Sequence, residues 1–138
     1  MVTVAAIIVL LTIFNVIKGE GQIPTGEGKI IGQPLIEVPV DLVSEKNDQN
    51  SVDAGHSPWR LDPAFVAQVF VNLLISPEGI KGDYPIPYED VKITLNTGTE
   101  AIAKVNGDIT PARYVYLKRL IRQDETGIWS VVGYDPAD

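Results

Sequence analysis

Cysteine is absent from this chain, which removes disulfides, thiolate zinc sites and a cysteine nucleophile together. A domain without cysteine suits either redox environment, so this absence leaves the compartment open. Histidine occurs once, at His56, and one imidazole cannot form the histidine pair of a typical catalytic zinc. Positive charge is scarce: 11 Lys and Arg stand against 18 Asp and Glu, giving a net charge of −7 and a pI near 4.6. The basic footprint that displaces counterions from a polyanion is missing, so no nucleic-acid partner is expected. Phosphate-cradling glycine loops, dinucleotide fingerprints and metal-ligand spacings are missing too. The expectation is a chain with no catalytic residue, no metal and no cofactor.

Charge is also lacking across the first seventeen residues, MVTVAAIIVLLTIFNVI, a run closed by Lys18. As a helix this run reaches roughly 25 Å, short of the ~30 Å hydrocarbon core of a bilayer. Residues 1–18 therefore read as a signal-anchor helix or a cleaved signal peptide, with a buried core helix as the remaining alternative. No basic residue precedes the run, and Gly19-Glu20-Gly21 offers only a weak small-x-small cleavage pattern. Membrane contact is expected through residues 2–17. Lys18 and Lys29 follow the run and favour a cytoplasmic remainder, but Glu20 and Glu27 lie among them. The remainder is expected outside the cytoplasm, and secreted if the leader is cleaved.

Residues 19–57 read as an extended acidic linker. Eight Gly and Pro residues interrupt its first half, and three lysines face seven acids between Lys18 and Pro58. Such a stretch buries too little apolar surface to offset its ordering entropy. Inside it, Ile36, Val38, Val40 and Leu42 alternate like a strand, but Pro39 removes a donor and demotes the segment to a sheet edge.

Residues 58–138 read as the folded domain. Asp62-Pro63 is a helix start, with an N-cap carboxylate followed by a residue that needs no donor. Phe65, Val66, Val69, Phe70, Leu73 and Leu74 then recur at helical spacing and predict the core stripe. Ala67, Val71 and Ile75 make the opposite side apolar as well, and Ser76-Pro77 ends the helix. Past Gly79 the period falls to two. Val91, Ile93 and Leu95 point inward, Asn96-Thr97-Gly98 turns into Glu100 to Val105, and Asn106-Gly107 turns again. A long strand from Ala112 to Gln123 and a last one from Gly127 to Tyr134 complete the pattern. The predicted fold is α+β: one helix packed on a four-stranded antiparallel meander, preceded by the membrane helix and linker.

This order of elements resembles the cystatin-like and NTF2-like small α+β domains, in which a helix packs into a curved antiparallel sheet. Trp129-Ser130-Val131-Val132-Gly133-Tyr134 looks like the closing strand of exported bacterial members. The stretch from His56-Ser57-Pro58-Trp59-Arg60 through Asp135-Pro136 is similar to membrane-anchored proteins of spore-forming Gram-positive bacteria. The resemblance covers residues 56–136 and implies a protected concave face without specifying a chemistry.

Two surfaces are candidates for binding. The run Arg113 to Arg122 holds four basic residues and no acid, and period two places Tyr114, Tyr116, Lys118 and Arg122 on one face. Basic groups among tyrosines suit a protein partner or self-association, and the resemblance implies that the partner belongs to an envelope or sporulation-related assembly. Val115 and Leu117 mark the other face as core, with Arg113 and Arg119 at its margins. The second candidate is a pocket between helix and sheet lined by Phe70 and Trp129, which would make the domain a small-ligand sensor or carrier. Both tryptophans also read as packing anchors. Asp83, Glu89 and Asp90 form an acidic loop whose spacing matches no calcium-binding loop, and a hydrolase would need them to converge on a cleft.

Overall fold

Alternating apolar residues build an antiparallel sheet, and a helix rich in alanine and valine covers one of its faces. A computed structural model describes residues 33–138. Its elements are β1 (Ile36–Glu37), α1 (Leu42–Asp53), a 3₁₀ turn (Pro58–Leu61), α2 (Pro63–Ile75), a 3₁₀ turn (Tyr88–Asp90), β2 (Val91–Asn96), β3 (Glu100–Val105), β4 (Ala112–Lys118) and β5 (Ser130–Pro136). The sheet order is β1-β5-β4-β3-β2, antiparallel throughout, so β2 to β5 are the expected meander. The fold class is α+β, with two helices and five strands where one helix and four strands were expected. The membrane helix and the membrane contact of residues 2–17 lie outside the described residues. Among those described, no helix is long and apolar enough to cross a membrane.

The extra elements fall in the stretch read as a linker. Residues 34–138 form one compact unit, so folding begins more than twenty residues before the expected boundary at residue 58. β1 pairs Ile36 with Tyr134 and Glu37 with Gly133 at the sheet edge, as Pro39 required, and Val38 N–H donates to the Val132 carbonyl at 3.0 Å. The alternation fails at Leu42, which starts α1. That helix carries no apolar stripe and buries only Gln49, so periodicity does not reveal it. Asp41 caps it, accepting from Val43 and Ser44 N–H at 3.0 and 3.3 Å. Polar bonds hold it in place. Gln49 accepts from Ile128 N–H at 2.9 Å and donates to the Thr126 carbonyl at 2.9 Å, while Arg122 grips Asp53 through both carboxylate oxygens.

α2 forms where predicted, with the Asp62 carboxylate accepting from Ala64 N–H at 3.0 Å and Ser76 as C-cap. It is rotated from the expected orientation. The buried residues are Ala64, Val66, Ala67, Gln68, Val71 and Asn72, whereas Leu73 keeps 40 % of its surface exposed. Two polar side chains cause the rotation. Asn72 accepts from Ile86 N–H at 2.9 Å and donates to the Ile86 carbonyl at 3.0 Å, and Gln68 donates to that carbonyl at 3.1 Å. Turning them outward would strand the buried backbone of Ile86. Alanines on both layers (Ala64, Ala67, Ala101 and Ala103) let the helix lie close to the sheet, around Val71, Val105, Val115 and Leu117.

Two strand expectations also shift. A bulge between Ile93 and Leu95 reverses the alternation, so Leu95 points outward and is 37 % exposed. The long strand after Ala112 ends at Lys118 and the last strand starts at Ser130, three residues later than read. Between them the chain doubles back so tightly that a Cβ at Gly127 would lie 1.8 Å from the Arg122 carbonyl oxygen.

Candidate functional site: an open groove beside α2

The rotation of α2 leaves its aliphatic side facing an open groove of about 310 Å³. Val66, Val69, Phe70 and Leu73 line one wall, Trp129 and Val131 another, and the extended chain from Val38 to Val40 a third. Phe70 is fixed from behind by Tyr134, with ring centroids 5.5 Å apart at 58°. Trp59 packs on Phe65 at 5.6 Å and also borders the groove.

Charged groups contributed by α1 and the first 3₁₀ turn close one end. Arg60 Nη2 donates to Glu45 Oε1 at 2.7 Å and to the Trp129 carbonyl at 3.1 Å, and Nη1 donates to Asp48 Oδ2 at 2.8 Å. The Ser130 hydroxyl donates to the same Glu45 oxygen. Trp129 N–H donates to the Arg60 carbonyl at 3.0 Å, so β5 and the 3₁₀ turn hold each other. Two buried donors next to the groove have no acceptor: Arg60 Nε and Trp129 Nε1. Such a donor costs about 1–3 kcal/mol when it is left unpaired. The Trp129 ring is 1 % exposed, and the Arg119 guanidinium lies over its face at 4.4 Å. Arg119 is held there by the Gly127 and Gly98 carbonyls.

The pocket pair read from sequence, Phe70 and Trp129, meets in this groove. The basic-face set does not assemble as an exposed patch. Tyr116 is buried at 3 % exposure, its hydroxyl donating to Asp135 Oδ2 at 2.7 Å. Arg122 lies beyond the end of β4 and is bound to Asp53, whose hydrogen bonds from that guanidinium hold its carboxyl below the usual range. Tyr114 is half-buried, and Lys118 faces Glu100 across the β3–β4 pair. The acidic loop does not converge on the groove. Asp83 and Glu89 are exposed, and Asp90 anchors the hairpin by accepting Asn106 N–H at its carbonyl. Among the described residues no group of three metal-ligating side chains gathers, and His56 is exposed.

Sequence reasoning missed Arg60, Glu45 and Asp48. Their signal was present in the i, i+3 acids of α1, but only once that helix was known. Fold and groove together define a two-layer α+β domain with an open apolar recess between helix and sheet edge. Comparison with family models, with curated proteins and with solved structures finds no match.

Proposed function

We propose that this chain is a non-catalytic recognition domain, carried at a membrane by residues 2–17 and displayed outside the cytoplasm. Its groove receives an apolar group from a protein partner. The observation that carries this reading is the aliphatic wall of α2, partly buried and ending at the exposed Leu73, which shares the recess with Trp129 and Val131, at a volume within the range of natural binding sites. Recognition suits the charged groups better than acid–base chemistry does. Glu45 is engaged by Arg60 and Ser130, and Asp41 caps α1. The earlier alternative, a small-ligand carrier, would use the same recess. The open mouth of the groove and the exposed Leu73 in its wall favour a larger partner.

The test uses the full chain and the neutral fluorescent probe N-phenyl-1-naphthylamine. Saturable one-to-one binding is expected, weakened at least about tenfold by Leu73→Glu, the scale of one lost apolar contact plus a desolvated charge. Leu95→Glu, on the far sheet edge, should leave binding unchanged. Equal effects of the two substitutions would refute the groove.

A further inference from the structure

We infer that residues 34–53 are an exchangeable arm, which leaves its own body and packs in the same way on the body of a second copy of this chain. The inference does not depend on what enters the groove.

The strain that favours exchange sits in the hinge. Four residues, Ala54 to Ser57, join α1 to the first 3₁₀ turn. Gly55, at φ +94°, closes α1 in the ordinary way: its N–H reaches the Val52 carbonyl and that of His56 the Ser51 carbonyl, both at 2.9 Å. Ser57 serves no such cap. It is the one non-glycine residue with positive φ among those described, at φ 49° and ψ 53°, and its side chain makes no capping bond. It also precedes Pro58, a position that favours extended backbone. Extending the hinge at Ser57 therefore releases strain that the folded-back arm imposes.

The polar attachments of the arm all transfer. β1 pairs with the edge of β5, Leu35 N–H donates to Asp135 Oδ1 at 2.8 Å, and Val38 N–H donates to the Val132 carbonyl. α1 is held by Gln49 on Ile128 and Thr126, by Glu45 and Asp48 on Arg60, and by Asp53 on Arg122. Each bond joins the arm to a residue beyond the hinge, so a second body offers the same partners in the same geometry. Departure of the arm is also local. α1 buries only Gln49, and the core around Val71, Val105, Val115 and Leu117 belongs entirely to the body. Exchange keeps the bonds and removes the strain at two hinges, which offsets part of the entropy of association. The consequence reaches the groove: Val38, Pro39 and Val40 come from the arm, and Phe70, Leu73 and Trp129 from the body. In the exchanged dimer each recess is built from two copies.

The chain has no cysteine, so introduced thiols report cleanly. Asp53→Cys and Arg122→Cys are placed in separate full-length chains, mixed in detergent micelles, incubated until the yield is constant and treated with a short bismaleimide. An arm seated on a foreign body brings the two thiols together; an arm on its own body does not. A covalent heterodimer is expected that rises with chain concentration and does not form when either chain is treated alone. Ser57→Gly in both chains accepts the left-handed conformation freely. It should lower the dimerisation constant about twenty-five-fold, roughly five-fold for each hinge. Ser57→Val, a β-branched residue at an exposed position, should raise it. Absence of the heterodimer from both parent and Ser57→Val chains overturns the inference, as does a yield that Ser57→Gly leaves unchanged. Bridging of either chain with itself to the same yield would show association through another surface, and overturns it as well.

Discussion

Replacing Gln49 by leucine should release α1 while leaving the sheet intact. Gln49 is the single buried residue of α1 and makes three bonds: from Ile128 N–H, to the Thr126 carbonyl, and to Asp53 Oδ1 at 3.2 Å. Leucine fills a similar volume but makes none of them. Two lost bonds to backbone at about 1 kcal/mol each, with the penalty for an orphaned buried Ile128 N–H, come to about 3 kcal/mol. The C-terminal half of the helix has little else to resist peeling. The Arg122–Asp53 pair is largely in water, with both side chains about 40 % exposed, and solvent screening leaves it little hold on the helix. The Arg60 pairs hold the other end of the helix. The helix therefore detaches locally before the domain unfolds, and water then satisfies Ile128. Native-state amide exchange reads this directly. Protection at Ile128 and through α1 should fall about 100-fold, the equivalent of ~3 kcal/mol, with β3 and β4 unchanged. A uniform fall across helix and sheet would show that α1 is part of the core cooperative unit. Unchanged protection in α1 would show that its polar clips are not what holds it.

Asn72→Ala should act globally, because it strands Ile86 N–H inside the core and removes a donor to the Ile86 carbonyl; a loss of about 3 kcal/mol is expected in urea unfolding followed by tryptophan fluorescence. A loss below about 1 kcal/mol would refute the role assigned to that side chain in rotating α2. The Arg122–Asp53 pair predicts a pH dependence: hydrogen bonds from Arg122 lower the folded Asp53 value below its ordinary 3.8. The stabilisation is present above 3.8 and is lost as pH falls through the lowered folded value. Carboxyl NMR titration should place Asp53 below the ordinary range in the native chain and return it there in Arg122→Gln.

The helix at Asp62-Pro63, the meander and the core face of β4 were legible because each rests on local chemistry or on a clean period. The orientation of α2 was not. Its sequence is apolar nearly all round, so periodicity ranks Phe65, Phe70 and Leu73 above Ala67 and Val71. The deciding residues are polar: Gln68 and Asn72 bury because Ile86, eighteen and fourteen residues away, offers backbone groups with no other partner. α1 was invisible for a related reason. A helix held by Gln49, Arg60 and Arg122 rather than by an apolar stripe has the composition of a linker. Arg122 does not share the face of Tyr114, Tyr116 and Lys118, because period two continues only while the strand does and β4 stops four residues before Arg122. Phe70 and Trp129 were found as a pair, since large aromatics on facing elements border whatever space the two layers leave.

The rotation of α2 separates what the fold needs from what it holds in reserve. Burying Gln68 and Asn72 while leaving Val69 and Leu73 partly exposed forgoes a fraction of the about 1.5–3 kcal/mol that full burial of an aliphatic side chain contributes. The amide bonds to Ile86 offset part of that and fix the loop between α2 and β2, but they do not require the outward positions to be hydrophobic. A polar residue at Leu73 should fold as well, because that side chain is already 40 % exposed and is not part of the buried core. Leu73, at the outer end of the aliphatic wall, is therefore hydrophobicity that the core does not enclose, in the same recess as Trp129 and Val131. Stability and binding should separate at this position. Leu73→Glu is expected to leave the unfolding free energy within about 0.5 kcal/mol of the parent, as for an ordinary surface substitution. Occupancy of the groove should nevertheless be lost. A large loss of stability in that variant would mean that Leu73 is core after all, and that the groove is a packing defect rather than a site.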